Sequence, residues 1–215
     1  MIIFILSLYH PLFSQWKLNI GGNIAKFQSE DSDNNVGFIF GFSHSRKLKS
    51  IRNVEFQFGF LIAKQSANLS NKYLKFHEFP DEIYPLNMKY EGVCVKIPVA
   101  WNYILPIKKK IDLETGMGLL LNLAIKSNGE TTTGDPLGSN DVKEKDIYEQ
   151  FNDTYPFSTL IRNSGIDMYF SMGISANRIG IRAIYTSSLQ SSLMVNAIKF
   201  NERMNVYNVV FEIIL

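Results

Sequence analysis

The sequence predicts an all-β protein, an eight-stranded antiparallel up-and-down transmembrane β-barrel. Three observations carry that prediction. Eight segments alternate between large apolar residues and small or polar ones, five of them clearly and 16–27, 179–186 and 205–215 more weakly, the period of a strand whose successive side chains point to opposite faces. The polar face of these segments is mostly Gly, Ala, Ser and Asn, with few of the Lys, Glu and Thr that a water-facing sheet carries. The connections between segments alternate between short and long.

The clearest segment is VCVKIPVAWNYI, residues 93–104, where Val93, Val95, Ile97, Val99, Trp101 and Tyr103 alternate with Cys94, Lys96, Pro98, Ala100 and Asn102. The others follow the same rule. Residues 16–27 place Trp16, Leu18, Ile20 and Ile24 on one face, and 36–43 place Val36, Phe38, Phe40 and Phe42. Residues 54–63 set Val54, Phe56, Phe58, Phe60 and Ile62 against Glu55, Gln57, Gly59, Leu61 and Ala63. In 111–125, Ile111, Leu113, Met117, Leu119, Leu121, Leu123 and Ile125 oppose Asp112, Glu114, Gly116, Gly118 and Asn122. Segments 165–175, 179–186 and 205–215 complete the set. Most are longer than the five or six residues of an ordinary strand, and they suit the roughly 9–11 residues of a tilted membrane-crossing one.

The stretches 44–53, PIKKK (106–110) and 176–178 are short connections at one end. The opposite end carries 28–35, 64–89, 127–163 and 187–204, most of them long and polar. With both termini at the short-turn end the strand count must be even. Small inward residues fit the narrow interior of eight strands, and the large aliphatics and phenylalanines are expected to face lipid. Hydrocarbon leaves no backbone group unpaired, so the last strand must close on the first. Pro98 donates no ladder bond, and a bulge or an irregular pair is expected there. Trp16, Phe27, Trp101, Tyr103, Tyr185 and Tyr207 lie near strand ends, where girdles at the headgroup levels are expected.

Residues 1–15, MIIFILSLYHPLFSQ, contain no charged side chain, and an apolar run ends at His10-Pro11. The run is too short for a spanning helix and has the length of a signal-peptide core, so 1–15 is expected to be an export leader and 16–215 the barrel domain. A formal charge of +2 over 215 residues, without a basic run interleaved with aromatics, excludes a nucleic-acid interface. One cysteine, Cys94, excludes an internal disulfide and a cysteine-built metal site.

Seven charges fall on the inward face: Glu55, Lys96, Asp112, Glu114, Asp167, Arg182 and Glu212. Unpaired buried charge is costly, so they are expected to form a lumenal cluster in which Arg182 and Lys96 neutralise the carboxylates. An ion path is the functional alternative to this plug.

The chain carries an N-terminal segment ending LFSQ, the opening strand WKLNIGGNIA, the middle segment VKIPVAWNYIL and the strand LETGMGLLLN. In these pieces the chain resembles the PorT-like outer-membrane β-barrel proteins of Bacteroidetes-type bacteria, relatives of the small OmpA/OmpX-type barrels. The resemblance implies an eight-stranded outer-membrane barrel with periplasmic turns and extracellular loops, and it implies no particular activity. The chain departs from such barrels by ending FEIIL instead of on an aromatic residue.

Catalysis at a barrel rim would need a nucleophile, a base and an acid. The three histidines are His10 in the leader, His44 in a short turn and His77 beside Glu78 and Asp81 in a loop. No enzyme activity, cofactor or metal is expected. The SEDSDNN stretch lacks Ca²⁺-loop spacing, and NGETTTGDPLGSND lacks phosphate-loop spacing. The apolar LMVNAIKF (193–200) suggests a strand extension or a partner patch.

The expected role is a structural or interaction protein of the cell envelope, acting through long loops or lateral contacts. The expected partners are outer-membrane lipid and other envelope proteins, and the oligomeric state is left open. A narrow porin-like channel and a soluble lipocalin-like lipid binder are the alternatives.

Overall fold

A computed structural model describes residues 14–28, 35–48, 51, 53–74, 84–133, 164–189 and 203–215, with side chains undescribed at 69–74, 84–88 and 127–133. The eight strands are β1 (Ser14–Phe27), β2 (Asn35–Lys47), β3 (Val54–Leu74), β4 (Tyr84–Lys108), β5 (Ile111–Thr133), β6 (Ser164–Ala176), β7 (Ile179–Ser188) and β8 (Met204–Ile214). Each pairs antiparallel with its neighbour in sequence, and β1 pairs with β8 to close the barrel. Closure runs from Lys17↔Ile214 to Phe27↔Met204, and Leu215 N donates to Trp16 O at 2.9 Å beyond it.

The alternation sets the two faces as expected. Trp16, Ile20, Phe40, Phe60, Leu119, Phe170, Ile181 and Phe211 point outward and are exposed, while Asn19, Gln57, Asn102, Glu114, Ser171 and Glu212 point inward and are buried. Phe27 is an exception: expected in an outer girdle, it lies on the inward face and is buried. Its odd number puts it in phase with Lys17, Asn19, Asn23 and Ala25, which are all inward. Trp16, Trp101, Tyr103 and Tyr207 are outward and exposed, and Tyr185 stacks on Phe170 with ring centroids 6.4 Å apart.

The strands depart from expectation mainly in length. β3, β4 and β5 are 21, 25 and 23 residues long, whereas β1, β2, β6, β7 and β8 have 10 to 14. The stretch 64–89, expected as a loop, is mostly a continuous ladder from Lys64↔Val93 to Leu74↔Tyr84, with one register shift between Leu69 and Lys72. The start of 127–163 is strand as well, paired as far as Leu86↔Thr133. On the β3 side (Gln65, Ser66, Asn68) the large apolar residues are too sparse for periodicity to show a strand, whereas Leu86, Met88 and Tyr90 alternate with Asn87, Lys89 and Glu91, a short period-two signal inside the stretch expected as a loop. The other end shows the converse. β2 runs on through His44 to Lys47, and Pro106–Lys108 belong to β4, so the turns shrink to 48–53 and to Lys109-Lys110.

At Pro98 the β3–β4 ladder is interrupted, but register is kept. Phe58↔Val99 and Leu61↔Lys96 flank a gap in pairing, while Pro98↔Leu120 holds on the β5 side. The register shifts between β4 and β5 lie elsewhere, at Val93/Cys94, where Ile125 of β5 is the extra residue, and at Pro106/Lys108, where Ile107 of β4 is. The missing N–H is therefore absorbed by a short gap in which Gly59 and Phe60 face Ile97 and Pro98 unpaired. Residues 1–13, the bulk of the expected leader, lie outside the described residues, and Ser14 and Gln15 open β1. His77 and the 193–200 stretch also lie outside them.

The β6–β7 turn holds Asn177 at φ 56°. A left-handed backbone suits Asn and Gly and is strained for a β-branched residue. Asn177→Val should cost about 1–3 kcal/mol, and Asn177→Gly should be near neutral. Urea titrations of the two variants check this, and equal midpoints would remove the turn from the list of strained positions.

Candidate functional site

The polar lumen is the candidate site, because closure brings inward side chains from every strand to one axis. At the short-turn end, β7 contributes Arg182, whose relative exposure is 1%. Its Nε lies 2.9 Å from Glu212 Oε1 and its Nη2 lies 3.2 Å from Glu212 Oε2. The same Nη2 also pairs with Glu114. Nη1 donates to Asn102 Oδ1 at 3.2 Å, and to Gln57 Oε1 and Ser171 Oγ at 3.4 Å. Asn102 in turn donates to Gln57 Oε1 at 2.7 Å, and Ser175 Oγ donates to Glu114 Oε1 at 2.8 Å.

The second cation of this cluster is Lys17 of β1, not Lys96 as expected. Lys17 Nζ lies 3.2 Å from Glu114 and 3.4 Å from Glu212. Two cations and two carboxylates thus balance within a shell of amide and hydroxyl groups. Balance is what makes the burial tolerable, since the desolvation penalty of each ion is several kcal/mol. The outward Trp16, Leu18 and Ile20 imply an inward Lys17, so the signal for its facing was in the sequence. Its partners follow only from the β1–β8 closure, which sets Asn19 beside Glu212.

The structure brings together Arg182, Glu114 and Glu212 of the seven expected charges. Glu55 is buried at the same end, beside Asn102 and Lys47 in register. Asp112 is half-buried at the rim, opposite Pro106 and Ser175. Lys96 and Asp167 form a separate, higher level. Asp167 pairs in register with Leu120 and Ser188 and is hydrogen-bonded to Ser188 and Asn122. Buried apolar side chains surround Lys96 and Asp167: Leu61 lies opposite Lys96 and Leu120 opposite Asp167 in register, and with Ile39, Tyr169, Ile184 and Val210 they belong to one cluster. The lumen thus carries an ion-pair network toward the short turns and a sparser polar set, placed among apolar residues, farther along the strands.

On the outer wall near the short turns, His44 of β2 packs between Trp16 and Phe58, with ring centroids 4.9 and 5.1 Å away. It is a strand residue, buried under aromatics, and not the turn residue expected. A shallow outer groove of about 250 Å³ is lined by Val54, Trp101, Tyr103, Thr115 and Met117 together with Asn102 and Gly116. No three His, Cys, Asp or Glu side chains converge to hold a metal among the described residues.

No family model and no curated protein matches this chain. Among solved structures it aligns with Neisserial surface protein A, at 14% identity and a TM-score of 0.39, covering 92% of this chain and 96% of that one. The attachment invasion locus protein Ail of Yersinia pestis, solved with the heparin analogue sucrose octasulfate, aligns at 11% identity and a TM-score of 0.37, covering 95% and 100%. The outer membrane enzyme PagL aligns at 10% identity and a TM-score of 0.38, covering 91% and 98%. At these identities the likeness is one of architecture, and what those proteins bind or catalyse does not transfer.

Proposed function

We propose that the chain is an integral outer-membrane β-barrel of the cell envelope, exported by its N-terminal segment. Its role is structural or interactive, without catalysis or solute conduction. The observation that supports this most is the outer wall. Apolar side chains on all eight strands are exposed, including Phe38, Phe60, Val99, Leu119, Phe170, Ile181 and Val209. A water-soluble surface rarely exposes a contiguous apolar patch above a few hundred Å². Here such residues girdle the whole barrel, and exposed charged side chains such as Lys64, Lys89, Glu91 and Lys126 fall toward its loop end. Strand closure leaves the barrel wall without a free edge, as a hydrocarbon solvent requires. No helix among the described residues is long and apolar enough to cross a membrane, so crossing would be by strands.

The interactive part of the reading rests on the long strands. β3 pairs with β2 only up to Lys64, and β5 pairs with β6 only up to Leu123, yet both continue about ten residues further alongside β4. A three-stranded sheet therefore projects past the closed barrel on the loop side. This projection, with the loops around it, is the surface offered to envelope partners. The LFSQ, WKLNIGGNIA, VKIPVAWNYIL and LETGMGLLLN segments support placing the chain with the PorT-like barrels.

Against a channel stand the pairing of Arg182 and Lys17 with Glu114 and Glu212 and the buried apolar side chains that fill the lumen beside them, Leu61, Leu120, Tyr169 and Val210. The test is fractionation of expressing cells with electrophoresis of boiled and unboiled membranes. Carbonate-resistant material whose mobility changes on boiling is the expected result. Soluble protein without a heat shift would overturn the membrane reading and favour a lipocalin-like barrel. Single-channel steps in planar bilayers would overturn the plugged lumen alone.

A further inference from the structure

We infer that the loop-side half of the lumen holds a site for a small hydrated inorganic anion, built on the Lys96 ammonium and the Gln65 side-chain amide on the β3–β4 wall. This inference stands on the closed barrel and not on the membrane reading. Lys96 is 1% exposed, and its Nζ has no hydrogen-bond partner among the described residues. Gln65 is equally buried; its Oε1 accepts from Cys94 Sγ at 3.4 Å, while its Nε2 is left without a partner. Cys94 sits two residues from Lys96 on the same face, so the two unused donors flank it.

Together they supply five N–H groups, three from the ammonium and two from the amide. A buried ammonium without partners is expensive, and such groups in folded proteins are paired or hydrogen-bonded. The carboxylate at this level does not serve. Asp167 interacts with Lys96 through space, but its hydrogen bonds come from Ser188 and Asn122. The donor excess on one wall therefore calls for an acceptor brought from outside. Two oxygens in the same part of the lumen, Asn122 Oδ1 and Asn23 Oδ1, are also unpaired, so the anion keeps water on that side. Leu61, opposite Lys96, and Leu120, opposite Asp167, are the buried apolar neighbours of the site.

The single native cysteine is a reporter at the site. Purified, detergent-folded barrel is labelled at Cys94 with an anionic (sulfonatoethyl) or a cationic (trimethylammonioethyl) methanethiosulfonate. Each rate is normalised to that of the urea-unfolded chain. The anionic reagent is expected to be favoured about tenfold, and excess thiocyanate, compared with fluoride at equal ionic strength, to slow labelling at least twofold, as a local positive charge requires. Lys96→Met, similar in volume, should abolish both effects. Equal or cation-favoured rates in the wild type, no protection by thiocyanate, or a thiol that reacts only after unfolding would each overturn the site. Should Lys96→Met fail to fold, the thiocyanate protection and Gln65→Leu, which should weaken it, still decide.

Discussion

Arg182→Met should destabilise the folded barrel by about 3–5 kcal/mol, the usual cost of removing one partner from a buried ion network. The methionine refills most of the volume, so the loss is electrostatic and not a cavity effect. Glu114 and Glu212 would then share Lys17 alone, at 3.2 and 3.4 Å, and one buried negative charge would go uncompensated. Asn102, Gln57 and Ser171 would also lose the donor that now meets them. Adding Glu114→Gln to the same chain should recover a large part of the loss, because the remaining Lys17–Glu212 pair is again neutral. Reversible urea unfolding in lipid vesicles, followed by Trp16 and Trp101 emission, measures both variants. A single-variant cost below about 1 kcal/mol, or a double variant worse than the single one, would mean that the network does not act as a balanced unit.

Leu119→Arg should cost about 2–4 kcal/mol in vesicles, as arginine does on the lipid face at mid-bilayer. Leu119 is the middle of the outward series from Leu113 to Ile125 on β5, and it is paired with the outward Val99 and Met168. The same change at Ile111, beside the Lys109-Lys110 turn, should cost no more than about 1 kcal/mol, since depth sets the penalty. The neighbouring inward position behaves differently. A Cβ at Gly118 would clash with Val99 O and with Ala100, so Gly118→Arg should fail to fold in any solvent. The same three chains compared in detergent and in vesicles separate lipid exposure from steric crowding. If Leu119→Arg and Ile111→Arg cost the same, the outward face does not meet hydrocarbon.

Legibility in the sequence followed the strength of the apolar signal. Where one face is large and apolar, as in Phe38–Phe40–Phe42 or Leu119–Leu121–Leu123, facing and strand identity could be read from period two alone. Where large apolar residues are sparse, as in Gln65–Asn68, the same backbone conformation leaves little apolar trace, and the strand read as a loop. Phe27 was misplaced because an aromatic near a strand end suggested an interface, although its parity with Lys17 and Ala25 pointed inward. Six of the buried charges, Glu55, Lys96, Glu114, Asp167, Arg182 and Glu212, were legible for the same reason of parity, but Lys17 was passed over, Asp112 is only half-buried, and the partners were not legible.

Partnership depends on the register of every pair around the ring. One step of two residues moves a side chain by a whole layer, which is why Lys96 was assigned to Arg182 although Lys17 occupies that place. The sequence by itself determined the strands that alternate, the face that each residue takes and the even, closed count. Only the tertiary structure decided which charges meet, how far β3, β4 and β5 outrun the rest, and that Lys96 stands apart. Alternation is a local property of the chain, whereas height in a closed barrel is the sum of all its pairings.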